Sequence, residues 1–314
     1  MCVALDSSGG LYVADLRNNR VLYFATGSTT ASRVYGQDGD FATNTPNKGG
    51  VISAISLFDP VHVALDSSGG IYVSDRGNNR VLYFATGSTT ASRVYGQGGD
   101  FTTGTARDIS ATSLNEPSHV ALEDSRGGLY VSDSYNNRVL YFAPGNTTAS
   151  RVYGQSGLYN TGTAGNSTTS LFSPSGLTVD RVIGGFFVAD KGNNRVLYFV
   201  TGSLTGFYST SVNGPYDVAR ADIGGQPKLY VACPYYNRVL IFDVGSSTPV
   251  GVYGQGGVFT TETANKGGIS ATSLNAPSGV ALDSSGGLYV SDQRNNRVLY
   301  FAPGNTTASR VYGQ

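Results

Sequence analysis

The chain has no tryptophan, one methionine, two cysteines, two histidines and four lysines (Lys48, Lys191, Lys228 and Lys266) in 314 residues. Each scarcity removes a class of protein. Cys2 and Cys233 cannot make the disulfide framework that staples small secreted domains, so cysteine usage leaves the compartment open. No apolar run reaches the roughly 20 residues that cross a bilayer, which argues against membrane insertion. Lys+Arg and Asp+Glu balance at 21 each, so there is no basic surface to displace counterions from a phosphate backbone, and nucleic acid is not an expected partner. Phosphate-loop, HExxH and nucleophile-elbow signatures are missing, and Asp38-Gly39-Asp40 lacks the carboxylate count of a calcium loop.

What is plentiful is 43 glycines, 21 tyrosines and 14 phenylalanines, too aromatic a mix for a disordered chain. The aromatics recur. RVLYF starts at Arg20, Arg80, Arg138, Arg195 and Arg297, with RVLIF at Arg238. Ahead of it stand Asn-Asn or Tyr-Asn, then LYVSD or a variant, then VALDSSGG or a relative; SRVYGQ usually follows. Aligned on the first apolar segment, the modules start at Val3, Val63, Val120, Leu177, Val218 and Val280, spaced 60, 57, 57, 41 and 62 residues apart. A period of this kind is the mark of a repeat architecture.

Each module holds four short segments rich in Val, Tyr, Leu and Phe and bounded by Gly, Asn and Ser, which reads as four strands. SSGG supplies a hairpin turn where positive φ is needed, and Asn-Asn a second one. Val21-Leu22-Tyr23-Phe24 is apolar without alternation, as in a strand buried on both faces. Six such sheets shield one another when stacked radially and closed. The expectation is one all-β domain, a six-bladed β-propeller of four-stranded antiparallel blades, divided at about 1–60, 61–117, 118–174, 175–215, 216–277 and 278–314.

The P-S-x-V-A-L-D, L-Y-V-x-D, N-R-V-L-Y-F and V-Y-G-Q elements resemble the NHL repeat family over essentially the whole chain. The resemblance implies the same six-bladed propeller. Some propellers of that family bind RNA, which the charge balance here disfavours. Loops such as GGDFTTGT and ANKGGISATSLNAP are similar to those of long, secreted bacterial or algal NHL proteins. The chain opens inside a module at Met1-Cys2-Val3 and ends at the VYGQ landmark, so a longer surrounding protein, with a leader or further repeats, is expected.

Asp15 with Arg20, Asp75 with Arg80, Asp133 with Arg138, Asp190 with Arg195 and Asp292 with Arg297 face each other across one hairpin. A repeated pair with one role suits a charge-assisted turn closure better than a catalytic set. Cys233 takes the Asp position in module five and deprives Arg238 of its partner. The residue before the first strand varies as Cys2, His62, His119, Gly176, Asp217 and Gly279. Cys2, His62, His119 and Asp217 are metal-ligand types and form a candidate divalent-metal set at a channel mouth. A lyase-type propeller of the resembled family holds metal through histidines, but needs more than the two present here. The competing reading is a variable, partly wet position.

Loops of about 20 residues follow VYGQ in four modules and carry Phe41, Phe101 and Phe259, either to bind or to seal blade junctions. Asn146, Asn166 and Asn305 open N-x-[ST] glycosylation triplets. The expected function is a non-enzymatic scaffold, extracellular or on the cell surface. Its loop face would bind protein or glycan, further copies of itself included, with no cofactor. The alternative is a metal-dependent lyase or hydrolase.

Overall fold

The computed structural model describes residues 2–106, 108–123 and 127–313; the chain ends Met1 and Gln314 lie outside them. Six antiparallel sheets of four strands form, each ordered as its strands follow in sequence. They are called blades 1 to 6 below. Two compact units are distinguished, one of residues up to 174 with 202–205, the other of residues 175–201 and 206–314.

The first unit contains blade 1, with β1 (Val3–Leu5), β2 (Leu11–Asp15), β3 (Arg20–Phe24) and β4 (Ala31–Tyr35). Blade 2 follows with β5 (Pro60–Leu65), β6 (Ile71–Asp75), β7 (Arg80–Phe84) and β8 (Arg93–Tyr95). Blade 3 has β9 (Pro117–Leu122), β10 (Leu129–Asp133), β11 (Arg138–Phe142) and β12 (Arg151–Tyr153). In blades 1 and 2 the first two turns are set by short polar side chains. In blade 1 the Asp6 carboxylate accepts the backbone N–H groups of Ser8 and Gly10 at 2.9 and 2.7 Å. A Cβ on Gly10 would meet the Asp6 carboxylate at 2.4 Å and the Tyr23 hydroxyl at 2.6 Å, so only glycine fits there. The Asn-Asn connection is longer than a two-residue hairpin turn. Leu16–Asn18 wind into one 3₁₀ turn, and Asn19 closes it at φ 53°. Asn79 and Asn137 repeat that left-handed closure, which asparagine tolerates at low cost.

Both faces of a blade are apolar because alternate residues turn to different neighbours. From blade 2, Val63, Val73 and Phe84 pack with Tyr12, Val21 and Tyr35 of blade 1. Tyr72, Val81 and Tyr95 turn the other way, toward Val120, Leu140 and Phe142 of blade 3. Each such side chain contributes about 1.5–3 kcal/mol on full burial, so the cores between blades dominate the stability of the unit.

The second unit is built in the same way. Blade 4 has β13 (Pro174–Asp180), β14 (Gly185–Asp190), β15 (Arg195–Val200) and β16 (Gly206–Ser211). Blade 5 has β17 (Asp217–Ile223), β18 (Gln226–Cys233), β19 (Arg238–Asp243) and β20 (Pro249–Tyr253). Blade 6 has β21 (Pro277–Leu282), β22 (Leu288–Asp292), β23 (Arg297–Phe301) and β24 (Arg310–Tyr312). The stretch that replaces VYGQ in module four still forms a fourth strand, paired with β15 through an irregularity between Tyr198 and Phe199. Phe187, Val196 and Tyr198 of blade 4 pack with Val218, Val231 and Leu240 of blade 5. Tyr230, Val239 and Tyr253 of blade 5 pack with Val280, Val290 and Leu299 of blade 6.

Candidate functional site

Asp75 and Arg80 are fully buried and joined Nε to Oδ2 at 2.7 Å. Every remaining group of this pair is also used. Phe58 N–H donates to Asp75 Oδ1 at 2.7 Å and Asn78 donates to Oδ2 at 2.7 Å. Arg80 Nη1 donates to Phe101 O at 2.6 Å, and Nη2 to the carbonyls of Ser53 and Ser56 at 2.9 and 3.0 Å. Burial raises the Asp75 carboxyl above its ordinary range, and the Arg80 charge opposes the rise. Blade 3 repeats the arrangement with Asp133, Arg138 and the carbonyl of Tyr159. The pairs Asp15–Arg20, Asp190–Arg195 and Asp292–Arg297 stand at 2.9, 2.7 and 2.7 Å. They are fasteners inside each blade, as the hairpin reading expects.

What they fasten is the long loop. Gln97, the last residue of a VYGQ segment, is buried and donates to the carbonyls of Asn79 and Thr105 at 3.0 and 2.9 Å. Asn79 Nδ2 donates to Gly104 O at 2.8 Å, while its Oδ1 accepts Glu116 N–H at 2.9 Å, just before the next blade. The same bonds recur at Gln37 with Asn19 and at Gln155 with Asn137 in the first unit, and at Gln255 with Asn237 in the second. Sequence reading took these asparagines for turn formers and missed the glutamines. Their recurrence directly after a strand, where an ordinary turn residue would serve, was the available signal.

The loops and the turn between second and third strands share one end of each blade. Within the first unit, among the described residues, all five exposed large apolar side chains stand there: Phe41, Val51, Tyr135, Leu158 and Phe172. Val51 and Tyr135 are 70% and 68% exposed. The opposite end carries Gly, Ser and Thr turns. In the second unit Tyr235, Phe259 and Ile269 are exposed on the equivalent segments, whereas Val182 and Ile183 are exposed on the blade 4 hairpin at the other end. The recurring phenylalanine divides its roles. Arg20 and Arg80 bond the carbonyls of Phe41 and Phe101, and Arg238 bonds that of Phe259. The Phe101 ring packs on the core between blades 1 and 2, while the Phe41 and Phe259 rings face solvent.

The variable position, expected just before the first strand, lies inside it for His62 (β5) and His119 (β9) and opens it for Asp217 (β17), and it is buried rather than partly wet. Cys2, His62 and His119 are 3%, 8% and 7% exposed in the first unit, and Asp217 is 2% exposed in the second. The reason is a bond between strands. Val120 N–H of blade 3 points at His62 Nδ1 at 3.4 Å, and Val280 N–H of blade 6 donates to Asp217 Oδ2 at 2.9 Å. The residue thus helps tie the first strand of its own blade to that of the next. The structure brings His62 and His119 together, ring centroids 3.3 Å apart. Burial, and secondly His119, hold the His62 imidazole well below its ordinary pKa, and so neutral. Among the described residues of that unit, Cys2 does not join both imidazoles in a ligand cluster; its thiol donates to Val3 O at 3.5 Å.

In blade 5 the buried Cys233 stands opposite Arg238. Burial pushes its thiol up to about 12, partly opposed by the arginine. Arg238 Nε is buried and, among the described residues, has no hydrogen-bond partner, the outcome that the lost aspartate implies. Asn146, Asn166 and Asn305 are all exposed. No helix among the described residues is long and apolar enough to cross a membrane.

Comparison with solved structures gives the fold class first. A chain of the nidogen/laminin complex is 14% identical, with 97% of this chain and 93% of that chain covered and a TM-score of 0.63. The Cps50 (Swd1) β-propeller domain of Myceliophteria thermophila is 9% identical over 100% and 86%, at 0.61. Virginiamycin B lyase from Staphylococcus aureus is 14% identical over 99% and 83%, at 0.56. These likenesses speak to fold, and the class is a six-bladed β-propeller. Residues 59–84 and 274–301, two stretches of this propeller, match the NHL repeat family model. No curated protein sequence matches the chain.

Proposed function

We propose that the chain is a non-enzymatic scaffold, extracellular or held at a cell surface, that binds a protein partner through the loop-bearing end of its blades. The observation that carries this reading is the one-sided placement of exposed apolar side chains in the first unit. Large aromatic and branched side chains on a fixed surface are what protein interfaces use as contact points. The repeated Asp, Arg, Asn and Gln side chains support it too, because they are committed to holding the loops in place. NHL propellers often mediate protein binding, and one similar chain comes from a complex of nidogen with laminin. Low charge and Thr-rich loops favour an extracellular setting.

The test is capture from the extracellular fraction of the source organism with three proteins in parallel. Val51→Asp/Tyr135→Asp/Leu158→Asp alters the loop end, and Thr30→Asp/Thr90→Asp alters the opposite end as a control for added charge. A partner retained by the wild type and the control and weakened tenfold or more by the triple variant is the expected result. Equal retention by all three overturns the proposal. Light scattering on the purified protein shows whether the partner is a second copy of the chain.

A further inference from the structure

The connections between third and fourth strands, at the end away from the long loops, differ between blades in a chemically specific way. In blades 1, 2, 4 and 5 the residue after the glycine is a serine that closes its own turn. Ser28 Oγ donates to Thr30 O at 2.9 Å and accepts Thr30 N–H at 3.1 Å. Ser88, Ser203 and Ser246 do the same. Blades 3 and 6 read Pro144-Gly145-Asn146-Thr147-Thr148 and Pro303-Gly304-Asn305-Thr306-Thr307 instead.

There Asn146 N–H donates to Ala143 O, and Asn305 N–H to Ala302 O, both at 3.0 Å. Gly145 and Gly304 have φ of 77° and 75°. Proline then glycine at the two central positions is the chemistry of a type II turn, stiff and pre-set. Both asparagine side chains are exposed, and among the described residues neither repeats the serine's bonds to its own turn. Each turn therefore holds out an uncommitted carboxamide with a threonine hydroxyl two residues on, at the same place in two blades.

We propose that Asn146 and Asn305 are acceptors of N-linked glycan. The donor is an oligosaccharide carried on a polyprenyl pyrophosphate. Asn Nδ2 attacks C1 of the first sugar and the N–C1 bond forms. The C1–O bond to pyrophosphate breaks, polyprenyl pyrophosphate leaves with the electron pair, and the amide proton passes to base. The inference rests on the extracellular reading, since the chain must meet that donor on the way out of the cell. A five-residue strand such as β11 spans about 17 Å, so glycan here would leave the loop-bearing end uncovered. Asn166 is not included: it lies on the loop-bearing end, where the hydroxyl of its neighbour Ser167 is 2.8 Å from that of Ser170.

The test is to secrete the full chain from a glycosylating eukaryotic host and map its peptides by mass after enzymatic release of glycan in ¹⁸O-water. Most molecules are expected to carry ¹⁸O-labelled aspartate at 146 and 305. Asn146→Ser/Asn305→Ser, the residue that the sibling blades use, should lose the excess mass with unchanged thermal unfolding. Ser88→Asn creates the same triplet in blade 2 and should add one more site. Secreted wild-type protein unmodified at both asparagines overturns the proposal. Native protein found only in the cytoplasm would contradict the extracellular reading instead, and leaves this host assay to decide the acceptors.

Discussion

At His62 two influences act in the same direction, burial first and the adjacent ring of His119 second. Both disfavour the imidazolium, so the folded chain holds a neutral ring where the unfolded chain takes a proton below about pH 6.5. The sign follows. The unfolded state binds more protons as pH falls through that value, so stability is unaffected above it and declines below it, by at most about 1.4 kcal/mol per pH unit for one group. Denaturant unfolding at pH 7.5 and pH 5 should show the decline, and His62→Gln should remove about one proton's share of the slope. Identical slopes in wild type and variant would contradict this. The position was legible in the sequence as one that varies among blades, with Cys2, His62, His119 and Asp217 as its polar members. Its burial was not, because polar residue types suggest water. Two of them, His62 and Asp217, are met there by a backbone N–H from the adjacent blade, a partner that lies 58 residues away at His62 and 63 at Asp217.

Within a blade, the aspartate and arginine of the second hairpin act together, and blade 5 is an existing variant of that element. Arg238 keeps its bonds to the loop carbonyls of Phe259 and Thr261 but among the described residues has no partner for Nε. Cys233→Asp restores the group found at this place in the other five blades, and hydrogen bonds to charged groups contribute about 1.5–3 kcal/mol. The variant should therefore unfold at a higher temperature, and an unchanged or lower midpoint would refute the role assigned to the pair. The pairing was readable because both residues recur at fixed spacing on facing strands. The loop's share in it was not. Arg80 reaches Phe101, Ser53 and Ser56 through carbonyl oxygens, and a carbonyl leaves no trace in residue identity.

For the molecule as a whole, six modules gave six blades because each segment carries its own strand and turn chemistry, and the irregular modules four and five kept enough of it. β16 forms although its sequence departs from VYGQ, since pairing along β15 and burial of Phe199 and Thr210 outweigh the missing motif. The surface that the proposed function depends on was less legible. Phe172 repeats Phe58 and Tyr135 recurs as Tyr235, but residue type alone does not tell that Phe172 is exposed where Phe58 is half-buried, or that Leu158 joins them there. The central claim is that these residues stand on loops held as firmly as the strands, despite the loops' length. Native-state hydrogen exchange of the backbone amides measures this directly. The account predicts that Asn47, Gly77, Ala91 and Glu116, whose N–H groups bond Leu57 O, Phe58 O, Ala54 O and Asn79 Oδ1, are protected to a degree comparable with β6 and β7. Exchange of these amides at the rate of an unstructured chain, while the strands stay protected, would contradict it.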